Sequence, residues 1–419
     1  MMLKNTVLLF VIILISCGNN KTNTPIKNKA ILNDIIVGAN QTEDYLPLLK
    51  GKRVGIVANQ TSVVFKDKDS AFWGDPETME TGFEKIVYRR THLVDSLVSL
   101  KVNIQTVFAP EHGFRGTADA GEVVKDGVDT KTGLPIISLY GKNKKPTAEQ
   151  LENLDVIVFD IQDVGARFYT YISSLHYVME ACAENNIPII ILDRPNPNGH
   201  FVDGPILEIE HKSFVGMHPI PVVHGMTIGE YAQMINGQGW LEKAADCDLT
   251  VIKMDGYSHS NSYSLQIKPS PNLPNDQAIN LYPSLCFFEG TNVSAGRGTE
   301  MQFQIFGSPF LDQKYFKYEF TPQPNDGSKY PKHEGELCYG LNLQEQDKLS
   351  YINLEWLIEA YISTADKSKF FNAFFTKLAG THKLQKQIEK GYTAKEIRET
   401  WFKDIDEFKR IRSKYLLYN

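Results

Sequence analysis

The stretch Val102-Asn-Ile-Gln-Thr-Val-Phe-Ala-Pro-Glu-His-Gly-Phe-Arg-Gly116 joins an apolar run to a short polar turn. The run Val102–Ala109 has the composition of a buried strand, and Pro110 and Gly113 end it abruptly. The loop after a buried parallel strand is where α/β proteins hold their ligands. A turn alone does not require a carboxylate, an imidazole and a guanidinium together. We therefore predict that Glu111 is catalytic, with His112 and Arg115 as substrate-binding neighbours.

The same alternation of apolar runs and helical spacing continues through the first two thirds of the chain. Predicted strands cover Arg53–Ala58, Pro135–Tyr140, Val156–Asp160, Pro188–Asp193 and Leu249–Met254, and predicted helices cover Thr91–Leu100, Thr147–Leu154, Tyr171–Glu184 and Thr227–Gly239. Runs that are apolar on both faces are typical of a parallel sheet covered by helices. The sequence predicts an α/β fold over residues 34–282, with a Rossmann-like, mostly parallel sheet and helices on both faces.

The pattern changes after a loop-rich zone at 257–283. Short strand-like pieces at Cys286–Phe310 and Leu337–Leu343 are followed by helical spacing near Leu354–Ser363, Lys369–Leu378 and Ala394–Leu416. These elements predict a smaller α+β C-terminal domain over residues 283–419.

The N-terminus has the pattern of an export signal. Lys4 precedes the apolar run Val7–Ile15, which is too short to span a bilayer as an ordinary helix, and Ser16 and Cys17 close it. A small residue before a cysteine resembles the lipid-attachment site of bacterial lipoproteins. We therefore predict a signal peptide over residues 1–17, lipidation at Cys17, a polar tether over 18–33, and a lipid-anchored protein of the cell envelope, either periplasmic or associated with the outer membrane. A plain secretory signal with an incidental cysteine is the alternative.

Composition and missing motifs exclude several function classes. The chain has 419 residues and a net charge of −6, which gives no basis for nucleic-acid binding. It contains no Gly-x-Gly-x-x-Gly or P-loop for a nucleotide, no Gly-x-Ser-x-Gly and no His-Glu-x-x-His. The remaining four cysteines lie far apart and the histidines are scattered, so we predict neither a metal site nor a cofactor.

Polar residues follow several predicted strands and should meet at one edge of the sheet. The candidates for substrate binding are Asn59, His112, Gln162, Arg167, Tyr169, Asp193, Arg194 and Asn196, with Asp163 as a candidate catalytic group. Amides and acids bind hydroxyls, arginines pair with anionic substituents, and aromatic rings cover apolar sugar faces. The set therefore suits a polyhydroxylated ligand. The structural alternatives are that Asp160 and Asp193 cap turns or pair with Arg194 and Arg167, and that Tyr169 belongs to the core.

A second cluster occurs at Phe288-Glu-Gly-Thr-Asn-Val-Ser-Ala-Gly-Arg-Gly-Thr-Glu300. Its glycines, hydroxyls and Arg297 predict an anion- or sugar-binding loop facing a cleft between the domains. Glu289 and Glu300 are possible partners for Glu111. The alternative is a long turn stabilised by a salt bridge from Arg297.

These motifs, taken in order, resemble those of secreted exo-β-N-acetylmuramidases, a family long catalogued as a bacterial domain of unknown function. The matching motifs are Ala109–Gly116, Gly133-Leu-Pro, Ser138-Leu-Tyr-Gly141, Asp160–Tyr171, Leu192–Pro197, Phe214-Val-Gly216, His224–Glu230, Pro269-Ser-Pro-Asn272, Phe288–Asn292 and Gly296-Arg-Gly-Thr299. The resemblance implies a Rossmann-like domain, a C-terminal domain and an active-site cleft between them. It also implies release of terminal N-acetylmuramic acid (MurNAc) from the non-reducing ends of peptidoglycan fragments, with Glu111 as the acid and Asn272 near the substrate.

The remaining roles stay open at the level of sequence. Asp163 or Glu289 is the second catalytic group, and Arg297 or Arg167 binds the lactyl carboxylate that distinguishes MurNAc from N-acetylglucosamine (GlcNAc). One alternative function is a non-catalytic lipoprotein that binds muropeptides or sugars. Another is an esterase or amidase acting on the same cell-wall fragments.

Overall fold

A seven-stranded sheet forms the centre of the computed structural model, within the described residues 35–72, 84–115, 126–242 and 246–419. The strands are β1 (Val54–Ala58), β2 (Val63–Phe72), β3 (Glu84–His92), β4 (Ile104–Ala109), β5 (Gly127–Val128), β6 (Pro135–Ser138), β7 (Val156–Asp160), β8 (Ile189–Leu192), β9 (Leu249–Ile252), β10 (Ile305–Ser308), β11 (Tyr318–Phe320) and β12 (Cys338–Asn342). The helices are α1 (Thr42–Leu49), α2 (Leu93–Ser99), α3 (Ala148–Leu151), α4 (Tyr171–Glu184), α5 (Ile228–Gly237), α6 (Asp276–Leu285), α7 (Glu355–Ser363), α8 (Phe374–Ala379), α9 (Lys383–Glu389), α10 (Ala394–Glu399) and α11 (Phe402–Arg412).

The strand order in the main sheet is β5-β6-β4-β1-β7-β8-β9. All neighbours from β6 to β9 are parallel, and the short β5 is antiparallel to β6. The predicted mostly parallel sheet is therefore confirmed. Because the strands are parallel, the loops that leave β1, β4, β7 and β8 emerge at the same edge.

Both faces of this sheet are buried. Alternate side chains of a strand point to opposite faces, so Val57 and Phe159 join one apolar cluster while Ile56 and Val158 join another. The first cluster includes apolar residues of α4 and α5, and the second includes those of α1 and α2. This arrangement explains why the strand sequences are apolar throughout, and it confirms helices on both faces.

Helix α5 begins at a capping box. The Thr227 hydroxyl accepts a hydrogen bond from the Glu230 backbone N–H at 3.2 Å, and the Glu230 carboxylate accepts one from the Thr227 N–H at 2.9 Å. The two side chains thereby satisfy two helix-terminal donors reciprocally.

The C-terminal part contains a three-stranded antiparallel sheet of order β10-β12-β11, together with α7 to α11. It confirms the predicted smaller α+β part. The predicted division between residues 282 and 283 stays a prediction, and it falls inside α6.

Three sequence predictions for the C-terminal part need correction. Cys286–Gly290 is a 3-10 helix, and only β10 is a strand within the predicted Cys286–Phe310 stretch. The predicted helix Lys369–Leu378 is reduced to α8 after a separate 3-10 turn. The predicted helix Ala394–Leu416 is two helices, α10 and α11, because Trp401 N–H bonds to Arg398 at the i−3 spacing and the chain turns there.

The remaining structural predictions concern the termini and the cysteines. Cys17, the signal peptide and the tether lie outside the described residues. None of the helices in the described ranges is both long enough and apolar enough to cross a membrane. Cys182, Cys247, Cys286 and Cys338 are free and buried.

Candidate active site

Glu111 is positioned by the pairing of two neighbouring strands. Ala109, the last residue of β4, pairs with Ser138, the last residue of β6. Glu111 and Tyr140 each follow two residues later, so both emerge side by side at the sheet edge. The register between these strands is therefore what brings Tyr140 to the Glu111 carboxylate.

The backbone turns sharply after Glu111. His112 has φ of 70° and Gly113 has φ of 75°, and the Gly113 N–H bonds to the Pro110 carbonyl at 3.0 Å. A left-handed conformation is unfavourable for a residue with a Cβ, although histidine is among the residues found there more often. Strained backbone of this kind clusters at functional sites. In this turn it leaves Glu111 facing a cavity while His112 is buried.

Two hydroxyl groups hold the Glu111 carboxylate. The Tyr140 hydroxyl donates to Oε1 at 3.0 Å, and the Thr170 hydroxyl donates to Oε2 at 2.8 Å. Thr170 occupies the N-cap position of α4, yet its side chain makes no capping bond to the helix. The residue thus contributes its hydroxyl to Glu111 instead of to its own helix.

A further layer fixes the Glu111 backbone. The Tyr171 hydroxyl donates to the Glu111 carbonyl at 3.2 Å, and it accepts a hydrogen bond from the Asn59 amide at 2.9 Å. Burial and the nearby Glu111 charge raise the pKa of Tyr171, so this hydroxyl stays protonated. Asn59 therefore acts behind the site, two contacts away from the Glu111 backbone carbonyl.

The cavity that Glu111 faces has a volume of about 610 Å³, which is within the range of small-molecule sites. Its lining includes Glu111, His112, Tyr140, Tyr169, Thr170, Phe214, Asn272, Tyr282, Cys286, Glu289, Arg297, Phe303, Tyr330 and Phe374. Residues from both the sheet edge and the C-terminal part contribute. Six of the sequence-predicted site residues are therefore brought together here: Glu111, His112, Tyr169, Asn272, Glu289 and Arg297.

A second carboxylate in the cavity, Glu289, is paired with Arg297. The Arg297 Nε donates to Glu289 Oε1 at 2.9 Å, and both side chains remain about one quarter exposed. The Arg297 guanidinium also lies over the Phe303 ring, 5.1 Å from its centroid. Burial opposes ionisation of Glu289, but the charges of Arg297 and Lys332 outweigh it and hold the pKa of this carboxyl below its usual value. Glu289 is consequently an anion at neutral pH.

Asp163, the other candidate for the second catalytic group, lies outside the cavity lining. It is buried, and its Oδ2 accepts a hydrogen bond from the Gly165 N–H at 2.7 Å and lies 3.6 Å from His224 Nε2. Its neighbour Gln162 donates its amide to the carbonyls of Asp163 and Pro195. These contacts shape the loop after β7 and leave Glu289 as the second carboxylate of the cavity.

Arg167 does not reach the cavity either. It is fully buried, and its two terminal nitrogens donate to four backbone carbonyls, those of Pro205, Ile220, Leu378 and Ala379, at 2.7–2.9 Å. Burial lowers the pKa of this guanidinium to about 9. The predicted role as a ligand of the lactyl carboxylate does not fit this geometry, because two bonds hold sheet-side loops at Pro205 and Ile220 and two hold the end of α8.

The other predicted binding residues do not line the cavity, and Arg115, Arg194, Asp193 and Asn196 have structural partners elsewhere. Arg115 pairs with Asp129 and Asp95, and Arg194 pairs with Asp160 in the interior. Asp193 accepts hydrogen bonds from the Thr227 and Tyr418 hydroxyls, Asn196 packs against Gly165 and bonds to the Met226 carbonyl, and Glu300 is exposed. The structural alternative for Asp160 is confirmed, because this acid pairs with Arg194 in the interior.

Sequence reasoning missed the residues that hold Glu111. Tyr140 belongs to the Ser138-Leu-Tyr-Gly141 motif, and Thr170 belongs to the Asp160–Tyr171 motif, so both positions carried a signal. Their contact with Glu111 depends on the strand pairing and on the entry of α4. Neither feature is specified by a local pattern.

Comparison with known proteins assigns the family. The description "Exo-beta-N-acetylmuramidase NamZ, N-terminal" matches residues 54–277, and its C-terminal counterpart matches residues 280–418. The chain belongs to the exo-beta-N-acetylmuramidase NamZ family. It is 38% identical over 400 residues to peptidoglycan beta-N-acetylmuramidase NamZ of Bacillus subtilis (strain 168), covering 90% of this chain and 89% of the relative.

Two solved structures share the fold. A DUF1343 family protein from Bacteroides fragilis NCTC 9343 has a TM-score of 0.79 and 44% identity, covering 92% of this chain and 99% of the other. A second DUF1343 family protein from the same organism has a TM-score of 0.73 and 31% identity, with the same coverage. These matches confirm the family resemblance found in the sequence. They also confirm the prediction that the protein is a glycoside hydrolase of the exo-β-N-acetylmuramidase class.

Proposed function

We propose that this enzyme releases MurNAc from the non-reducing end of peptidoglycan fragments by hydrolysing a β-glycosidic bond, with Glu111 as the general acid. The observation that carries the proposal is the position of Glu111. Its carboxylate is held by two hydroxyls and faces the same cavity as the ionised Glu289 and its partner Arg297. Two carboxyl groups of unlike environment in one sugar-sized cavity are what glycoside hydrolysis requires.

The contacts of Glu111 suit a group that gains and loses a proton. A hydroxyl donates or accepts by rotating its hydrogen, so Tyr140 and Thr170 hold the side chain in either protonation state. The protonated form transfers its proton to the glycosidic oxygen as the bond breaks, and the carboxylate that remains keeps both hydrogen bonds.

Glu289 supplies the negative charge. Because Arg297 and Lys332 favour its ionised form, it either stabilises the oxocarbenium-like transition state or activates a water molecule. Activation of water on the face opposite the leaving group inverts the anomeric configuration, so NMR of the first product formed tests that role.

Arg297 recognises the lactyl carboxylate of MurNAc. Its Nε is occupied by Glu289, and no acceptor in the described parts of the chain takes a hydrogen bond from its two terminal nitrogens. Those nitrogens can form a bidentate pair with a carboxylate, the substituent that GlcNAc lacks.

The proposal extends to the location of the enzyme. Lipidation at Cys17 and a tether over residues 18–33 would anchor it in the cell envelope beside peptidoglycan fragments. Labelling with a fatty-acid analogue tests this, and the Cys17→Ser variant should carry no label.

The decisive experiment uses the purified enzyme with a chromogenic β-MurNAc glycoside and the matching GlcNAc glycoside. We expect release from the MurNAc compound and a loss of at least about 100-fold in kcat for Glu111→Gln, the usual range for a general acid. Asp163→Asn, outside the cavity, should retain hydrolysis if it folds. Wild-type protein that binds muropeptides without turnover would support a non-catalytic binding lipoprotein. Cleavage of ester or amide bonds alone would support an esterase or amidase.

A further inference from the structure

Tyr330 lies at the mouth of the cavity and is 90% exposed. A tyrosine ring normally buries a large apolar surface, and this one buries almost none. Folding energetics therefore give no reason for an aromatic residue at this position.

The loop that carries Tyr330 is nevertheless firmly held. The Asn272 amide donates to the Gly327 carbonyl at 2.6 Å, and the Gln323 N–H donates to the Gly298 carbonyl at 2.8 Å. Pro331 packs so closely on Gly298 that a Cβ there would lie 2.5 Å from the proline Cβ. The exposed ring is thus presented from a fixed backbone.

Lys332, two residues after Tyr330, connects this loop to the turn that carries Glu289. The Lys332 ammonium donates to the carbonyls of Phe288, Thr291 and Val293 at 2.6–3.0 Å, which are the residues on either side of Glu289 and its turn. Tyr330 is two residues away from this anchor. Its position relative to Glu289 and Arg297 is therefore set by the same contacts that set the carboxylate.

We propose that Tyr330 is the platform of a subsite for the aglycone, the sugar on the leaving-group side of the scissile bond. This inference rests on the proposed function. In an exo-acting enzyme the terminal sugar enters the cavity and the rest of the glycan stays at the mouth. An exposed, preorganised aromatic ring there offers an apolar face to the C–H face of a pyranose such as GlcNAc and loses little conformational freedom on binding.

The test compares two substrates with the same glycone. β-MurNAc-(1→4)-GlcNAc has an aglycone sugar, and β-MurNAc fluoride has none. For Tyr330→Ala we expect kcat/KM on the disaccharide to fall about fivefold to tenfold, mainly through KM, because a platform binds ground and transition states alike. Hydrolysis of the fluoride should stay within about twofold of the wild type, and Tyr330→Trp should preserve the disaccharide activity.

Tyr315→Ala is the matched control, since Tyr315 is 72% exposed and does not line the cavity. The inference is overturned if Tyr330→Ala and Tyr315→Ala behave alike on the disaccharide, or if Tyr330→Ala loses the same factor on both substrates. Wild-type enzyme that hydrolyses neither substrate would instead overturn the proposed function, and the subsite with it.

Discussion

Arg297 donates a hydrogen bond from Nε to Oε1 of Glu289 across 2.9 Å, with the pair facing the cavity that also contains Glu111. The pairing keeps Glu289 anionic, and the hydrogen bond to its carboxylate comes from Nε and not from the terminal nitrogens. In the proposed mechanism, one ion pair would therefore serve charge stabilisation and substrate recognition together.

Arg297→Lys should reduce the preference for MurNAc over GlcNAc glycosides. A lysine keeps the charge beside Glu289 but cannot form a bidentate pair with the lactyl carboxylate. The loss of charge-assisted hydrogen bonds predicts a fall of about 10- to 100-fold in kcat/KM for the MurNAc glycoside, with a smaller fall for the GlcNAc glycoside. Arg115→Lys, outside the cavity, is the control. An unchanged ratio between the two substrates would contradict the assigned role of Arg297.

Thr170→Val and Tyr140→Phe should each lower kcat. Each change removes one hydroxyl from the Glu111 carboxylate with little change in volume, so the carboxyl group is less well oriented. We expect a loss of about tenfold for each, and a combined loss that is not the product of the two because both act on one group. Steady-state kinetics measures kcat for the single and double variants. Thr400→Val, at an exposed position, is the control. Wild-type kcat in both single variants would show that these hydroxyls do not orient the acid.

Arg167→Met should destabilise the protein, although the Arg167 side chain itself does not line the cavity. The change removes the guanidinium from four buried carbonyls in segments from both parts of the fold, although the Ile220 carbonyl keeps its hydrogen bond from the Leu207 N–H. We expect the free energy of unfolding to fall by at least about 3 kcal/mol. Denaturant unfolding measures it, with Arg410→Met, an exposed residue paired with Glu407, as a nearly neutral control. A stability equal to that of the control would mean that water replaces the guanidinium.

The sheet edge that carries the site could be predicted from the sequence, because the apolar pattern of a strand is a local feature of the chain. The apolar runs before Asn59, Glu111 and Gln162 specify buried strands, and parallel pairing then places their ends together. The long-range pairing of β4 with β6 and the entry of α4 were not specified, so Tyr140 and Thr170 were missed. Helix α6 was missed as well, because its Asn275 cap follows a stretch rich in proline and serine that is typical of loops.

Three arginines show that residue type alone does not predict which side chains line the cavity. Arg167, Arg194 and Arg297 all follow glycine-containing or strand-end motifs, yet only Arg297 lines the cavity. Arg194 meets a buried carboxylate and Arg167 meets carbonyls from distant segments, and both partners are set by the tertiary fold. The direction of a long side chain depends on those partners.

His92→Asn should flatten the acid dependence of stability. In the folded protein His92 Nδ1 accepts a hydrogen bond from the Val94 N–H at 3.2 Å, and Nε2 lies 2.9 Å from the Asn59 carbonyl, an arrangement that needs the neutral ring. Burial lowers the pKa of His92 from 6.5 to about 4. Between these values the unfolded chain binds a proton that the folded chain does not, so stability is complete above pH 6.5 and falls as the pH approaches 4.

At 1.36 kcal/mol per pKa unit, His92 accounts for up to about 3 kcal/mol of that loss. Asparagine can still cap α2 but does not titrate, so the variant should lose less stability than the wild type between pH 6.5 and 4. Urea unfolding at several pH values measures the two slopes. His176 also has its pKa lowered to about 4 by burial and remains in the variant, so a residual slope is expected. Parallel curves for the two proteins would show that His92 takes up its proton without unfolding the turn that carries Asn59.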